Sequence, residues 1–476
     1  MSETFIISSI LAVYLAILFA IAIWSRSAAG TLEGYYLAGR KLPFWVAAFS
    51  ANATGESSWL LLGLSGMGYL IGLHAIWIVI GETIGIWLAW RLIAPRLKLA
   101  ADAQQSITVP DLLEGMLNDT AQRIRITAVV IILAMVAAYV SAQMVATGKI
   151  FSNFLPMDYQ TGVIFGGVIT LAYTAYGGFK AVAYSDVLQG ILMLLALVSL
   201  PVVAIAAVDG DFWQAVRAAD PLLLDVTGNL GWGLPGLIAV ISFLSIGFAF
   251  MAAPQLLTRF MAIRSSGEIK SAARISVACI LAFDLGAVMV GIAGRVLFPD
   301  LSDAETVFPT VARELLPAVI TGVFLVMVLA AVMSTVDSLL ILASSAVVRD
   351  LLQKYLRLAW SDSRFAAAGK IVTAIIGVSA IVFALTDTKV IFWFVVFAQT
   401  GLASAFGPPV ICALFYKGIT KAGALAGMIG GFLTSTLWSM YMKPYSYNLI
   451  EGIPAMIAGF GLIFLVSRLT RDDKQG

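Results

Sequence analysis

Apolar runs of membrane-spanning length recur from one end of the chain to the other, separated by short polar stretches. A helix rises about 1.5 Å per residue, so about 20 apolar residues cross the ~30 Å hydrocarbon layer. The runs fall at 5–24, 43–70, 73–94, 125–152, 160–177, 184–208, 232–256, 275–298, 312–347, 370–386, 389–416, 421–442 and 448–468. They predict an all-α membrane protein of about 13 transmembrane helices. The longest, 312–347, exceeds one straight crossing, as do the runs of 28 residues, 43–70 among them, and must extend past the bilayer or break within it. Between the runs, 109–119 (VPDLLEGMLND) reads as a short amphipathic helix outside the membrane.

Composition agrees with this pattern. Of 476 residues 61% are hydrophobic and 12% charged, and the mean hydropathy is +0.97, too apolar for a soluble chain. The first run is longer than a secretory core and has no Lys or Arg before it, only Arg26 after it, so it predicts a retained helix. The tail RLTRDDKQG reads as a solvated end, with no appended signalling module expected.

The placement of positive charge predicts an orientation. With the C-terminus cytoplasmic, the inner loops are 25–42, 95–124, 178–183, 257–274, 348–369, 417–420 and 469–476. These and their margins hold all Lys and Arg except Lys149, Arg217, Arg295, Arg313, Lys389 and Lys443. An odd helix count then puts the N-terminus outside. Two cysteines, Cys279 and Cys412, both in apolar runs, and one histidine, His74, make neither a disulfide framework nor a metal cluster. Enzyme chemistry is therefore not expected.

Three polar interruptions break the apolar pattern. Residues 50–59 (SANATGESSW) contain Asn52, Thr54, Gly55, Glu56, Ser57 and Ser58. A carboxylate at bilayer depth costs roughly 2.5–3.5 kcal/mol, so Glu56 should face a cavity or a cation. Residues 245–255 (SIGFAFMAAPQ) contain Gly247 and Pro254, which weaken a helix. Residues 330–338 (AAVMSTVDS) gather Ser334, Thr335, Asp337 and Ser338, oxygen donors suited to a hard cation. Broken helices with such residues are where secondary transporters bind substrate and ions. Other acids in apolar runs are Glu82, Asp186 and Asp284; Asp186 reads as a dipole partner at a helix start, and the other two as buried, hydrogen-bonded or snorkelling acids.

These motifs, with LAGRKL at 38–43, YTAYGGFKAVAYSDVLQ at 173–189, PQLLTRFMA at 254–262, LAAVMSTVDSLLILASSAVVRDL at 329–351 and AFGPPVICALFYKGITKAGALAGMIGG at 405–431, resemble the sodium/solute symporter family, and within it the bacterial sodium/proline carriers. The resemblance implies a LeuT-type core of two inverted five-helix repeats. Residues 1–42 would be an extra N-terminal helix and loop, 43–208 the first repeat, 209–420 the second, and 421–476 peripheral helices and tail. It implies a sodium site of the carbonyls of Ala53, Glu56 and Ala331 and the hydroxyls of Ser334 and Thr335. Asp186, Asp337 and Ser338 match a second cation site of some members, with Asp337 replacing a hydroxyl.

The resemblance also implies a substrate pocket at Ser57, Trp59, Tyr139, Gln143, Ile246, Phe250 and Pro254, and an arginine, Arg40, at the cytoplasmic mouth. The lining is altered: proline carriers have an Asp at the position of Gly55 and a Trp and a Tyr at those of Ile246 and Phe250. The implied function is sodium-coupled uptake of a small solute, foremost proline, across a bacterial inner membrane by alternating access. Another small amino acid or carboxylate, or a sensor of the same fold, are the alternatives. Expected partners are sodium, the solute and lipid, and no nucleic acid.

Overall fold

The computed structural model describes residues 2–25, 31–386 and 390–471. Arg26, Lys389 and the end of the predicted tail, which enter the charge argument, lie outside them. The described chain is helical, with one isolated bridge, Leu42 to Ile263. Ten helices among the described residues are long and apolar enough to cross a membrane, against the thirteen expected. The difference has simple causes. Runs 43–70 and 73–94 are joined in one helical stretch, Phe44–Ala103; run 160–177 contributes only the shorter apolar piece Tyr159–Ala172; and Lys421–Leu437 has 17 residues.

In chain order, α1 (Glu3–Ser25) and the short α2 (Leu32–Leu37) precede α3 (Phe44–Ser58), α4 (Ser65–Ile71), α5 (Ile76–Leu88) and α6 (Ala94–Ala103). The amphipathic segment forms α7 (Val109–Leu117), capped by Thr108. Then come α8 (Arg123–Phe154) and α9 (Tyr159–Ala206). The loop expected at 178–183 does not form: α9 runs through it, interrupted only at Gly178 (φ +63°, ψ −178°), a conformation glycine accepts without a Cβ clash.

A small α10 (Phe212–Ala219) leads to α11 (Leu234–Ser245), α12 (Gly247–Ala252) and α13 (Pro254–Ala262), and these to α14 (Ile269–Leu297). The expected run 312–347 splits at Pro317 into α15 (Val307–Leu315) and α16 (Ala318–Ser345). A proline has no N–H and disfavours helix at the residue before it. Last are α17 (Asp362–Thr386), α18 (Ile391–Phe415), α19 (Lys421–Leu437) and α20 (Gly452–Leu469), of which α19 and α20 pack on each other and on α18.

The centre of the molecule is α16, buried continuously from Phe324 to Ser345 and packed on α1, α3, α8 and α9. Around it α3 lies against α9, α14 and α13. Two glycines set how closely α5 can approach α12: a Cβ on Gly247 would stand 1.9 Å from the Gly81 carbonyl oxygen. That backbone contact holds α5 against α11 and α12, with α14 also packed on it, and so sets the position of Glu82.

Candidate cation and substrate site

The first polar interruption is a real break. Ser57 in α3 adopts φ +48°, ψ −163°, a strained state for a residue with a Cβ, worth about 1–3 kcal/mol. Its surroundings hold it there. Ser57 Oγ accepts the backbone N–H of Trp59 at 3.2 Å, capping the helix that restarts beyond the break. Gln143 Nε2 donates to the same oxygen at 3.4 Å, Tyr139 OH, also from α8, lies 3.4 Å from it, and Gln143 Oε1 accepts the N–H of Ser58 at 3.2 Å. The second interruption is also real: Ala253 is extended (φ −65°, ψ 128°) and Pro254 starts a new helix.

The third is not a break. α16 passes through 330–338 as unbroken helix. Its Ser334 hydroxyl lies 3.0 Å from the Ala331 carbonyl of the preceding turn, a local contact that a continuous helix accommodates. The same hydroxyl donates to the Ala53 carbonyl at 2.8 Å, and Thr335 Oγ1 donates to the Thr54 carbonyl at 3.0 Å. Ala53, Ala331 and Ser334 thus meet directly, and Thr335 joins them one carbonyl along. The carbonyl of Glu56 accepts the N–H of Trp59 across the break. All five residues are buried.

Beside this cluster is a group that sequence reasoning missed. The guanidinium of Arg259, on α13, is fully enclosed. It reaches Ser50 Oγ at 3.1 Å, Thr54 Oγ1 at 2.9 Å, the Gln255 carbonyl at 2.8 Å and Asp186 Oδ2 at 3.3 Å, and donates to Ser338 Oγ. It also lies over the Phe179 ring at 4.9 Å. Asp186 accepts Ser50 Oγ at 2.6 Å. It is no dipole partner at a helix start: it sits two turns past Gly178, inside the polar core. Of the expected second cation set, Asp186 and Ser338 share this arginine, whereas Asp337 accepts the hydroxyl of Thr174. The signal for Arg259 was present as a cation within PQLLTRFMA, directly after a helix-starting proline.

On the other side of the Ser57 break is a small cavity lined by Trp59, Ile246, Ala249, Phe250, Val395, Val396, Gln399 and Thr400. Trp59, Ile246 and Phe250 were expected; the four α18 residues were not, although Gln399 and Thr400 stand out as polar within an apolar run. Tyr139 closes the set by donating to Gln399 Oε1 at 2.7 Å. Pro254 lies at the second break and does not line this cavity. A Cβ on Gly55 would come within 3.1 Å of the Phe250 ring, so that aromatic fills the space a side chain at 55 would need. Arg40 is not a free charge: it binds Glu33 at 2.7 Å, Asp102 at 3.0 Å and the Ser106 carbonyl at 2.7 Å.

Helices interrupted at Ser57 and Ala253, packed on a hydroxyl-bearing helix around a desolvated polar centre, define a cation-coupled secondary transporter of the LeuT type. The chain belongs to the sodium:solute symporter family, whose model matches residues 35–431, and sodium is its co-transported ion. Among relatives, the high-affinity proline transporter PutP of Bacillus subtilis is 36% identical over 452 residues, covering 93% of this chain and 94% of its own. A sodium/proline symporter of Staphylococcus aureus is 33% identical over 475 residues, covering 97% and 92%. The solved substrate-bound, outward-open structure of a Na+-coupled sialic acid symporter aligns over the whole of both chains with a TM-score of 0.82 at 19% identity. MhsT in complex with L-phenylalanine aligns over 89% of this chain and 98% of its own with a TM-score of 0.56 at 16% identity. At such identities these structures speak for the fold.

Proposed function

We propose that the chain carries proline into the cell with sodium, the ion held by the carbonyls of Ala53, Glu56 and Ala331 and the hydroxyls of Ser334 and Thr335. The observation that carries the ion site is the pair of contacts from Ser334 and Thr335 to the carbonyls of Ala53 and Thr54. These oxygens already converge between the interrupted α3 and the intact α16, and an ion entering there exchanges hydroxyl–carbonyl hydrogen bonds for cation–oxygen contacts. The solute occupies the space by Trp59, Ile246 and Phe250, oriented by Ser57, Tyr139 and Gln143. Proline as the solute is supported by the names of the relatives, which cover nearly all of this chain.

In this reading sodium bridges the break in α3 to α16 and orders Ser57, which caps the substrate side of the same break. Solute binding then lets one helix bundle rock against the other, and the low sodium concentration inside releases the ion. One sodium crossing 100 mV supplies roughly 2.3 kcal/mol. A tenfold sodium gradient adds about 1.4 kcal/mol, so together they sustain a solute gradient of several hundredfold. One ion is enough. The reading includes thirteen crossings, repeats at 43–208 and 209–420, a bacterial inner membrane, an outer N-terminus and a cytoplasmic C-terminus, as the Lys and Arg bias favours. It involves no catalytic step.

The test is uptake by proteoliposomes under an imposed sodium gradient, with proline, other small amino acids and short carboxylates as the panel. Sodium-dependent, saturable proline uptake that shows counterflow is expected. Failure of proline to compete with whichever solute is carried overturns the proline assignment.

A further inference from the structure

Glu56, Glu82 and Asp284 come from three different helices, α3, α5 and α14, and meet in one place. One carboxylate oxygen from each lies within 4.8 Å of the others. All three side chains are fully buried. None of their six oxygens receives a hydrogen bond among the described residues.

That isolation sets the three apart from every other buried acid described. Asp186 has Arg259, Asp111 has Arg125 and Arg349, Asp350 has Arg125, and Glu305 has Lys149. Asp119 accepts the N–H of Ile124, Asp337 the hydroxyl of Thr174, and Glu451 is paired with Lys443. A buried carboxylate with no partner is costly, and three together repel one another, so such a cluster persists only with a cation among the oxygens or with protons on them. The nearby Arg259 is committed to Asp186. Glu56 also ends the first half of α3, at the negative pole of that half-helix, which adds to the pull on a cation.

We propose that Glu56, Glu82 and Asp284 form a second cation site, separate from the one at Ala53 and Ser334, that takes a hard cation of sodium or calcium size. The ligands are oxygen only, the donor type of hard cations. Oxygens within 4.8 Å of one another can converge on a cation at about 2.3–2.6 Å, whereas magnesium sheds its waters reluctantly and is seldom held by an all-protein cage. Glu56 belongs to both sites, its carbonyl to the first and its carboxylate to the second. Occupancy of one therefore bears on the backbone geometry of the other.

The test uses the purified full-length chain and equilibrium binding of radioactive sodium and, separately, radioactive calcium, at ionic strength held constant with choline chloride. Ser334→Ala with Thr335→Ala removes the hydroxyls of the first site, and this variant should still bind about one cation per chain. Adding Glu82→Gln and Asp284→Asn should abolish that binding, a loss beyond the ~10–100-fold seen for outer-shell partners. These replacements keep shape and remove buried charge, so the protein should fold at least as well, which thermal unfolding without ions checks. Retention of sodium alone or of calcium alone identifies the ion and supports the site. Absence of both ions from the Ser334/Thr335 variant, their persistence in the fourfold variant, or displacement by magnesium in preference to both overturns it. The first site fails on a different result, unchanged sodium activation of uptake in the Ser334/Thr335 variant.

Discussion

Two polar clusters lie side by side between α3 and α16, and Thr54 belongs to both. Its carbonyl accepts Thr335 in one, and its hydroxyl meets Ser338, Arg259 and Asp186 in the other. The first cluster is made of carbonyls and hydroxyls alone and contains no fixed charge. The second contains a carboxylate and its own permanent cation. The difference teaches which of the two suits a passing ion. Neutral oxygens leave the charge to be supplied by sodium, and releasing it costs only the contacts made. In the Asp186 cluster the guanidinium already occupies the place of the cation, and a buried pair of this kind is locked, because removing either partner strands the other.

The largest expected effect tests the neutral cluster. Ser334→Ala with Thr335→Ala should raise the sodium half-saturation of uptake by ~100-fold or more, since hydrogen-bonding groups facing a charge are worth about 1.5–3 kcal/mol each. Sodium activation curves in proteoliposomes, with membrane abundance as control, measure it; an unshifted curve would end the assignment.

Next is the locked cluster. Arg259→Met leaves Asp186 buried without its counter-charge, and should cost about 3–5 kcal/mol of stability. Asp186→Asn together with Arg259→Met should recover most of it. Thermal unfolding in detergent compares the two, and equal instability of single and double variants would argue against a stabilising pair.

A smaller effect separates the break itself from both clusters. Gly55→Ala pushes a methyl at the Phe250 ring, an overpacking cost of about 1–3 kcal/mol, and should lower solute affinity more than sodium affinity. Adding Phe250→Leu should relieve it. A sodium defect as large as the solute defect would place Gly55 in the ion site instead. Smaller still is Asp337→Asn: its carboxylate faces Thr174, so the sodium half-saturation should move by less than ~3-fold, under about 1 kcal/mol.

The smallest effect lies outside both clusters, at Asp111 in α7. Burial pushes its pKa up, but Arg349 and Arg125 outweigh that and hold it below the ordinary carboxylate value. The folded value being the lower, its contribution is fully present above the unfolded carboxylate pKa of about 3.9 and disappears as pH falls from there through the folded value. Asp111→Asn should flatten the acid limb of a stability–pH curve and leave neutral pH uptake nearly unchanged.

Much of this was legible in the chain. Segment 50–59 declared its break through composition: no apolar side chain larger than Ala precedes Trp59, and small polar residues cannot face lipid. Pro254 declared the second break because it lacks an N–H. At 330–338 the same logic failed, since Ser and Thr can satisfy a helix's own carbonyls as readily as they can interrupt it. Gly178 was hidden for the opposite reason: a single left-handed residue turns a helix without any change in hydrophobic pattern. Arg259 was hidden because a cation near the end of an apolar run reads as a charge at the membrane margin.

By itself the sequence determined the class. Apolar length dictates membrane helices, and the family motifs and relatives along the chain make it a sodium:solute symporter. Which side chains face one another was decided by the tertiary structure alone. Glu56, Glu82 and Asp284 are far apart in the chain, and so are Asp186, Arg259 and Ser338. Nothing local links them, because hydrophobic periodicity fixes how a helix turns its faces but not which neighbour those faces meet. The backbone contact of Gly81 with Gly247 and the break at Ser57 set those neighbours, and with them the arrangement of charge in the core.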